Sequence, residues 1–256
     1  MNPSRDPVLR VRDLTKAFGA LAVAQSIDLD LESGARVGLI GPNGAGKTTL
    51  VNLLTGMIKA DKGSILLNGT EIRQMKPETR VKRGLVRTHQ INTLLSENSA
   101  RENVAVAIAE RDNLAWRGLR FKGPLRDCLD EADSRLRDIG IGDIAERRVV
   151  HLAYGQQRLL EIAIALALNP HVLLLDEPAA GVPAAEAHIV HDMLDRLPED
   201  MAILIIEHDM EVIFRFAQEI IVLVQGRILT RGEPDAISAD KEVRSVYLGH
   251  SKVQER

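Results

Sequence analysis

Two groups of residues in this 256-residue chain have the types and spacing to do chemistry. The first is Gly41-Pro42-Asn43-Gly44-Ala45-Gly46-Lys47-Thr48-Thr49, which fits G-x-x-x-x-G-K-[ST] with Gly41, Gly46, Lys47 and Thr48 at the required places. Small residues let backbone N–H groups wrap a chain of phosphates, the start of the following helix adds its positive end, and Lys47 supplies a mobile charge. The Thr48 hydroxyl is suited to Mg²⁺. The second is His171-Val172-Leu173-Leu174-Leu175-Asp176-Glu177-Pro178, an apolar run that ends in two adjacent acids. Asp176 suits Mg²⁺, directly or through water, and Glu177 suits the role of a general base that polarises an attacking water. Alone, such a pair is also a common turn or helix cap. The company of Lys47 and Thr48 favours phosphate chemistry.

The elements that must position these groups are legible as alternation and burial. Val8 to Leu31 alternates and is rich in β-branched residues, which reads as antiparallel strands with one solvated face. Arg36–Ile40 is a short buried strand running into the glycine-rich turn, with a helix from about Lys47 to Leu54 beyond it. Ser64–Leu67 is another strand, closed by the Asn68-Gly69 turn signal. From about Ser99 to Arg148 the pattern is helical and richly charged. Three nearly all-apolar runs follow, Val172–Leu175, Ala202–Ile206 and Ile220–Val224, separated by helix-length segments. Runs without alternation are buried on both faces, which predicts a parallel sheet covered by helices. No repeat of 20 to 50 residues is present, which excludes a solenoid or propeller.

Composition narrows the classes further. With 45% hydrophobic and 27% charged residues the chain has the balance of a globular protein rather than a disordered one. The longest apolar stretch, Ile162 to Leu168, is far short of the roughly 20 residues a membrane helix needs. MNPSRDPVLR has no apolar core of the secretory kind, so no leader is expected. The single cysteine, Cys128, cannot form an internal disulfide and fits a reducing compartment. A net charge of -3 and few aromatics (one Trp, two Tyr, four Phe) argue against a nucleic-acid partner.

Further motifs follow in an order that resembles the ATP-binding subunits of ABC transporters, from about Val8 to Gly249. Leu152-Ala153-Tyr154-Gly155-Gln156 is similar to the signature loop usually written LSGGQ, and it precedes a helix, Arg158 to Leu168. Ala153 departs from the usual Ser. Ile205-Ile206-Glu207-His208-Asp209 places His208 at the switch histidine, and Gln90, in Arg87-Thr88-His89-Gln90, resembles the Q-loop glutamine. Phe18 takes the place of the adenine-stacking aromatic, although a ring there could equally be core. Ala179 to Val182 corresponds to the D-loop, with Pro183 where many relatives carry Asp or Asn.

The resemblance implies an α/β fold: a P-loop NTPase (RecA-like) core with a parallel sheet, an antiparallel β subdomain and a helical insertion. The implied divisions are 7–98 for the β subdomain and the first part of the core, 99–150 for the helical subdomain, 151–232 for the rest of the core, and 233–256 for a helical tail. The implied cofactors are ATP and Mg²⁺. Glu177, His208, Lys47 and Gln90 would catalyse, and Thr48, Gln90 and Asp176 would hold the metal. Phe18, the loop Gly41 to Thr49, and Ala153, Tyr154, Gly155 and Gln156 would bind nucleotide, the last four on the ATP of a second subunit. Hydrolysis then needs two chains head to tail.

The expected partners are transmembrane permeases, a second ATP-binding subunit and a periplasmic solute-binding protein, with the chain peripheral on the cytoplasmic face of the inner membrane. LAYGQQR, EPAAG, GLVRTHQ and the tail VLVQGRILTRGEPDAISADKEVRSVYLG look like the branched-chain amino acid uptake subfamily, although His89 departs from its RTFQ and the stretch from Ala115 to Lys122 looks trimmed. A lipopolysaccharide-export ATPase is the alternative. A soluble ABC protein of translation or DNA repair, and a P-loop switch or small-molecule kinase, fit the motif order less well.

Overall fold

A computed structural model describes residues 6–88, 94–114, 122–182 and 187–248. Along the chain, β1 (Leu9–Phe18) and β2 (Leu21–Leu31) form a hairpin, and β3 (Arg36–Ile40) leads through the glycine-rich loop into α1 (Lys47–Thr55). β4 (Lys62–Leu67), β5 (Thr70–Glu71), α2 (Pro77–Lys82) and β6 (Leu85–Arg87) follow. The expected helical region contains α3 (Ala100–Arg111) and α4 (Lys122–Asp138), and then α5 (Tyr154–Ala167) runs into β7 (Val172–Asp176). The chain continues through α6 (Ala187–Asp195), β8 (Ala202–Ile206), α7 (Met210–Phe216), β9 (Glu219–Val224), β10 (Arg227–Gly232), α8 (Pro234–Ala239) and α9 (Lys241–Leu248). These pack as two compact units: the chain up to Arg80 together with the part from Asp200 onward, and Val81–Glu199.

In the first unit, alternation produces the expected antiparallel sheet, with strand order β2-β1-β4-β5. Leu9, Val11, Leu14, Ile27, Leu29, Leu31, Ile65 and Leu67 point to its buried face. The all-apolar runs behave differently. β3 pairs in parallel with β8 on one side and β9 on the other, with Leu39 opposite Ile206 and Ile221. Every residue of β8 is buried, and so are the four central residues of β9. Each such Ile or Leu contributes about 2 kcal/mol through burial. β10 was not anticipated: it pairs antiparallel with β9 as an edge strand, because Gln225 and Gly226 both take left-handed φ and close a tight hairpin.

The far end of α1 is held by Arg80, which is 2% exposed. Its guanidinium donates to the carbonyls of Leu53 (2.8 Å) and Leu54 (2.6 Å), two C-terminal acceptors of α1, and to those of Arg73 (2.7 Å) and Met75 (3.1 Å) in the loop before α2. Burial pulls this guanidinium down to about 10, partly offset by Glu71, so it stays charged at neutral pH. Arg80→Met strips four carbonyls of their donor. The expected cost is about 3 kcal/mol, read as a lower urea midpoint at unchanged slope; an unshifted midpoint would show that water replaces the guanidinium at no cost.

In the second unit, β6 and β7 pair in parallel, with Leu85 opposite Val172 and Arg87 opposite Leu174. α3 starts at a capping box: the Ser99 hydroxyl accepts from Glu102 N, and Ser99 N donates to Glu102 Oε2 at 2.8 Å. Arg111 ties α3 to α4 and α5, donating to both Glu131 oxygens and to the Ala167 carbonyl, each at 2.8 Å. Arg111, seconded by Arg135, holds the Glu131 carboxyl down at about 2 despite partial burial. Among the described residues, no helix is long and apolar enough to cross a membrane.

Candidate active site

The phosphate loop is built in the first unit. β3 ends at Ile40, and the loop that follows is squeezed between backbones. A Cβ on Gly41 would lie 2.1 Å from Leu223 O, and one on Gly46, at φ 103°, would lie 2.8 Å from Val23 O. Glycine is therefore required at both positions for steric reasons alone. The β9–β10 turn braces the loop from behind: Gly226 N donates to Ala45 O, and Gln25 N donates to Gly226 O, both at 2.8 Å. Within the loop, Ala45 N donates to Pro42 O at 3.1 Å.

At the helix start, Gly46 is the N-cap of α1 and supplies no side-chain acceptor to the first-turn amides. Such a start favours an anion. Lys47 is 7% exposed, and its Nζ lies over the loop, 2.5 Å from Gly41 O and 3.2 Å from Pro42 O. Asn43, Gly44 and Thr48 are exposed, and Thr49 is half-buried. The loop thus wraps a largely buried ammonium while leaving its rim open.

Two further expected residues lie in this unit. Phe18 ends β1 and is 52% exposed, so it is not a core ring; Lys16 Nζ stands 5.3 Å from its centroid. His208 lies two residues past the end of the buried β8 and is exposed, while its backbone N–H donates to the carboxylate of buried Glu207 at 3.0 Å. Asp209 then caps α7 by accepting from Glu211 N at 2.8 Å. The switch position is thereby fixed between a strand end and a capped helix.

The acidic pair lies in the second unit. Asp176 is the last residue of β7, and its side chain is only 12% exposed. Arg87, the last residue of β6, forms a short ion pair from Nη2 to Asp176 Oδ2. The sequence motifs offered no sign of this partner beyond an arginine that ends a buried apolar strand. Glu177 has φ +49°, a left-handed backbone uncommon for a side-chain-bearing residue, and its carbonyl accepts from Ala180 N at 3.0 Å. The chain thus leaves the strand in a tight turn immediately after Asp176.

The signature segment is more helical than its sequence implies. α5 begins at Tyr154, four residues before Arg158, so only Leu152 and Ala153 precede it and Gly155 is buried in its first turn. Gln156 turns back to accept from Ala153 N at 3.1 Å. The Tyr154 ring, 47% exposed, lies against Gly181 and carries the Arg158 guanidinium 5.3 Å from its centroid. Ala153, at the N-cap, has no oxygen to cap the helix. Ala153→Ser is therefore expected to stabilise α5 by about 1 kcal/mol and raise the melting temperature. A rise in ATPase rate as well would show that a hydroxyl to phosphate also matters, whereas no change in melting would refute the capping account. His89, Gln90 and Pro183 lie outside the described residues, as do 115–121.

The chemistry of each unit suits Mg²⁺ that arrives with phosphates: in the first the exposed Thr48 offers a hydroxyl, in the second Asp176 offers a carboxylate, and Mg²⁺ takes one or two such protein oxygens completed by water and phosphates. Among the described residues no group of three or more His, Cys, Asp or Glu is placed to cage a metal.

Comparison with known proteins places this arrangement. The family model described as ABC transporter matches residues 24–180. The high-affinity branched-chain amino acid transport ATP-binding protein BraF of Pseudomonas aeruginosa is 36% identical over 252 residues, 96% of this chain and 99% of that protein. LivG of Escherichia coli K12, with the same description, is equally similar at 36% over 96% and 99%. Among solved structures, the ADP conformation of MJ1267, an ATP-binding cassette of an ABC transporter, superposes with a TM-score of 0.81 at 26% identity, over 96% of this chain and all of that one. The fold is thus the α/β nucleotide-binding fold of P-loop NTPases, and the chain belongs to the ABC transporter family as one of its ATP-binding, ATP-hydrolysing subunits.

Proposed function

We propose that this chain powers the uptake of branched-chain amino acids or a related small polar or organic-acid solute, hydrolysing ATP at an interface between two ATP-binding subunits arranged head to tail. The carrying observation is the likeness to BraF and LivG across nearly the whole of all three chains. Those relatives are branched-chain amino acid transport proteins, so the lipopolysaccharide-export alternative is not favoured.

In this reading the loop from Gly41 to Thr49 binds the phosphates through its amides and Lys47, and the exposed ring of Phe18 stacks on adenine. Thr48, Asp176 and Gln90 would hold Mg²⁺, which would supply charge neutralisation to the phosphates. Glu177 accepts a proton from the attacking water as that oxygen bonds the γ-phosphorus and the bond to the β–γ bridging oxygen breaks, releasing ADP and phosphate. His208 contacts the γ-phosphate. Ala153, Tyr154, Gly155 and Gln156 close the site from the second subunit, with backbone amides replacing the hydroxyl that Ala153 lacks. The division into a β subdomain, a core and a helical insertion over 99–150 is part of this reading, as is docking of transmembrane permeases beside the insertion at the cytoplasmic face of the inner membrane.

The test is gentle solubilisation of native membranes containing the tagged subunit under non-hydrolysing conditions, with mass spectrometry of what co-purifies. Two multi-span permeases, a second ATP-binding subunit and a periplasmic binding protein that retains leucine, isoleucine or valine are expected. Recovery without membrane proteins, or with an exporter lacking a binding protein, would overturn the uptake reading.

A further inference from the structure

The Arg87–Asp176 ion pair is a close contact in the second unit that the acid–base assignment does not use. Its geometry follows from the sheet. β6 and β7 are parallel with Arg87 opposite Leu174, and Asp176 lies two residues further on, so it shares the face of Leu174. Two strand residues advance about 6.6 Å, a span that an arginine side chain covers along the strand direction. Nη2 therefore meets Oδ2 at the carboxyl edge, with side chains only 8% and 12% exposed. A carboxylate so enclosed is costly without a cation.

We propose that Arg87 is the stand-in cation of Asp176: it neutralises and aims that carboxylate in the absence of a divalent ion, and yields it to Mg²⁺ arriving with the nucleotide. This rests on the reading of Asp176 as a metal-holding residue. Arg87 is then a positioning residue with two opposed effects. Without metal it keeps a bare carboxylate from repelling the nucleotide phosphates. With metal present it competes for the same oxygen. Removing its charge weakens metal-free nucleotide binding and leaves metal-assisted binding equal or tighter, so the ratio of the two dissociation constants rises. A merely structural loss would shift both constants together and leave the ratio alone.

The experiment titrates the full chain with fluorescently labelled ADP, once in EDTA and once in saturating Mg²⁺, and compares the ratio of dissociation constants. For Arg87→Gln we expect the ratio to rise about tenfold, equivalent to about 1.4 kcal/mol. Arg87→Lys, which keeps the charge, should hold it near the parent value. Asp176→Asn should collapse the ratio, and on that background Arg87→Gln should have no further effect. An unchanged ratio in Arg87→Gln alongside a collapsed one in Asp176→Asn overturns the stand-in role and leaves the metal reading standing. A parental ratio in Asp176→Asn removes the metal reading and the proposal with it.

Discussion

Glu177→Gln is expected to bind ATP as the parent does and to lose turnover by at least about a hundredfold, the usual contribution of a positioned general base. The amide keeps the size and hydrogen bonding of the side chain but cannot accept the proton of the attacking water. Glu177 lies beyond the end of β7, in a left-handed turn, whereas Asp176 is the last residue of the strand and is paired with Arg87, so the exchange is expected to leave Asp176 in place. Because ATP then persists between two subunits, the variant should also accumulate as a dimer in ATP and Mg²⁺ during size-exclusion chromatography. Steady-state hydrolysis at the parental rate would remove Glu177 from the mechanism, and a monomeric variant would remove the nucleotide from the interface.

Lys47→Ala carries the second large effect. Its Nζ sits within hydrogen-bonding distance of two loop carbonyls, so the charge is already where a phosphate chain would lie. A charge-assisted hydrogen bond contributes roughly 2 kcal/mol, so nucleotide affinity should fall by about thirtyfold or more, as measured by calorimetric titration with ATP. Undiminished affinity would refute the phosphate role. The melting temperature serves as a control, since the variant also leaves the carbonyls of Gly41 and Pro42 without this donor.

Much of this was legible in the residues themselves. β3 spans Arg36–Ile40 as expected of its short run RVGLI, and the all-apolar runs of β7, β8 and β9 form the buried strands expected of them. The phosphate loop announces itself because its glycines answer local steric demands that any sequence must meet. Other features depend on contacts across distance and left no local mark. β10 reads as polar tail because it is an edge strand whose partner supplies the pairing. The early start of α5 was hidden by Gly155, a poor helix former tolerated in a first turn. The capping box at Ser99 and Glu102 is a local feature, readable as S-x-x-E. Arg87 was invisible as a functional residue because its meaning lies in a neighbour far along the chain, brought alongside only by the parallel pairing of β6 with β7.

The central claim is that one hydrolytic site is completed by two chains. Mixing two variants that are each expected to be inactive tests it most directly: Lys47→Ala, which lacks the charge on its own phosphate loop but keeps its signature helix, and Gly155→Asp, which keeps its phosphate loop but places a carboxylate in the first turn of its own α5. Each alone should fail to hydrolyse ATP while melting as a folded protein. Their mixture should regain turnover, since a mixed dimer contains one phosphate loop and one signature helix that are both intact and face the same ATP. Turnover by Gly155→Asp alone, or a mixture as inactive as its components although mixed dimers form, would contradict the account.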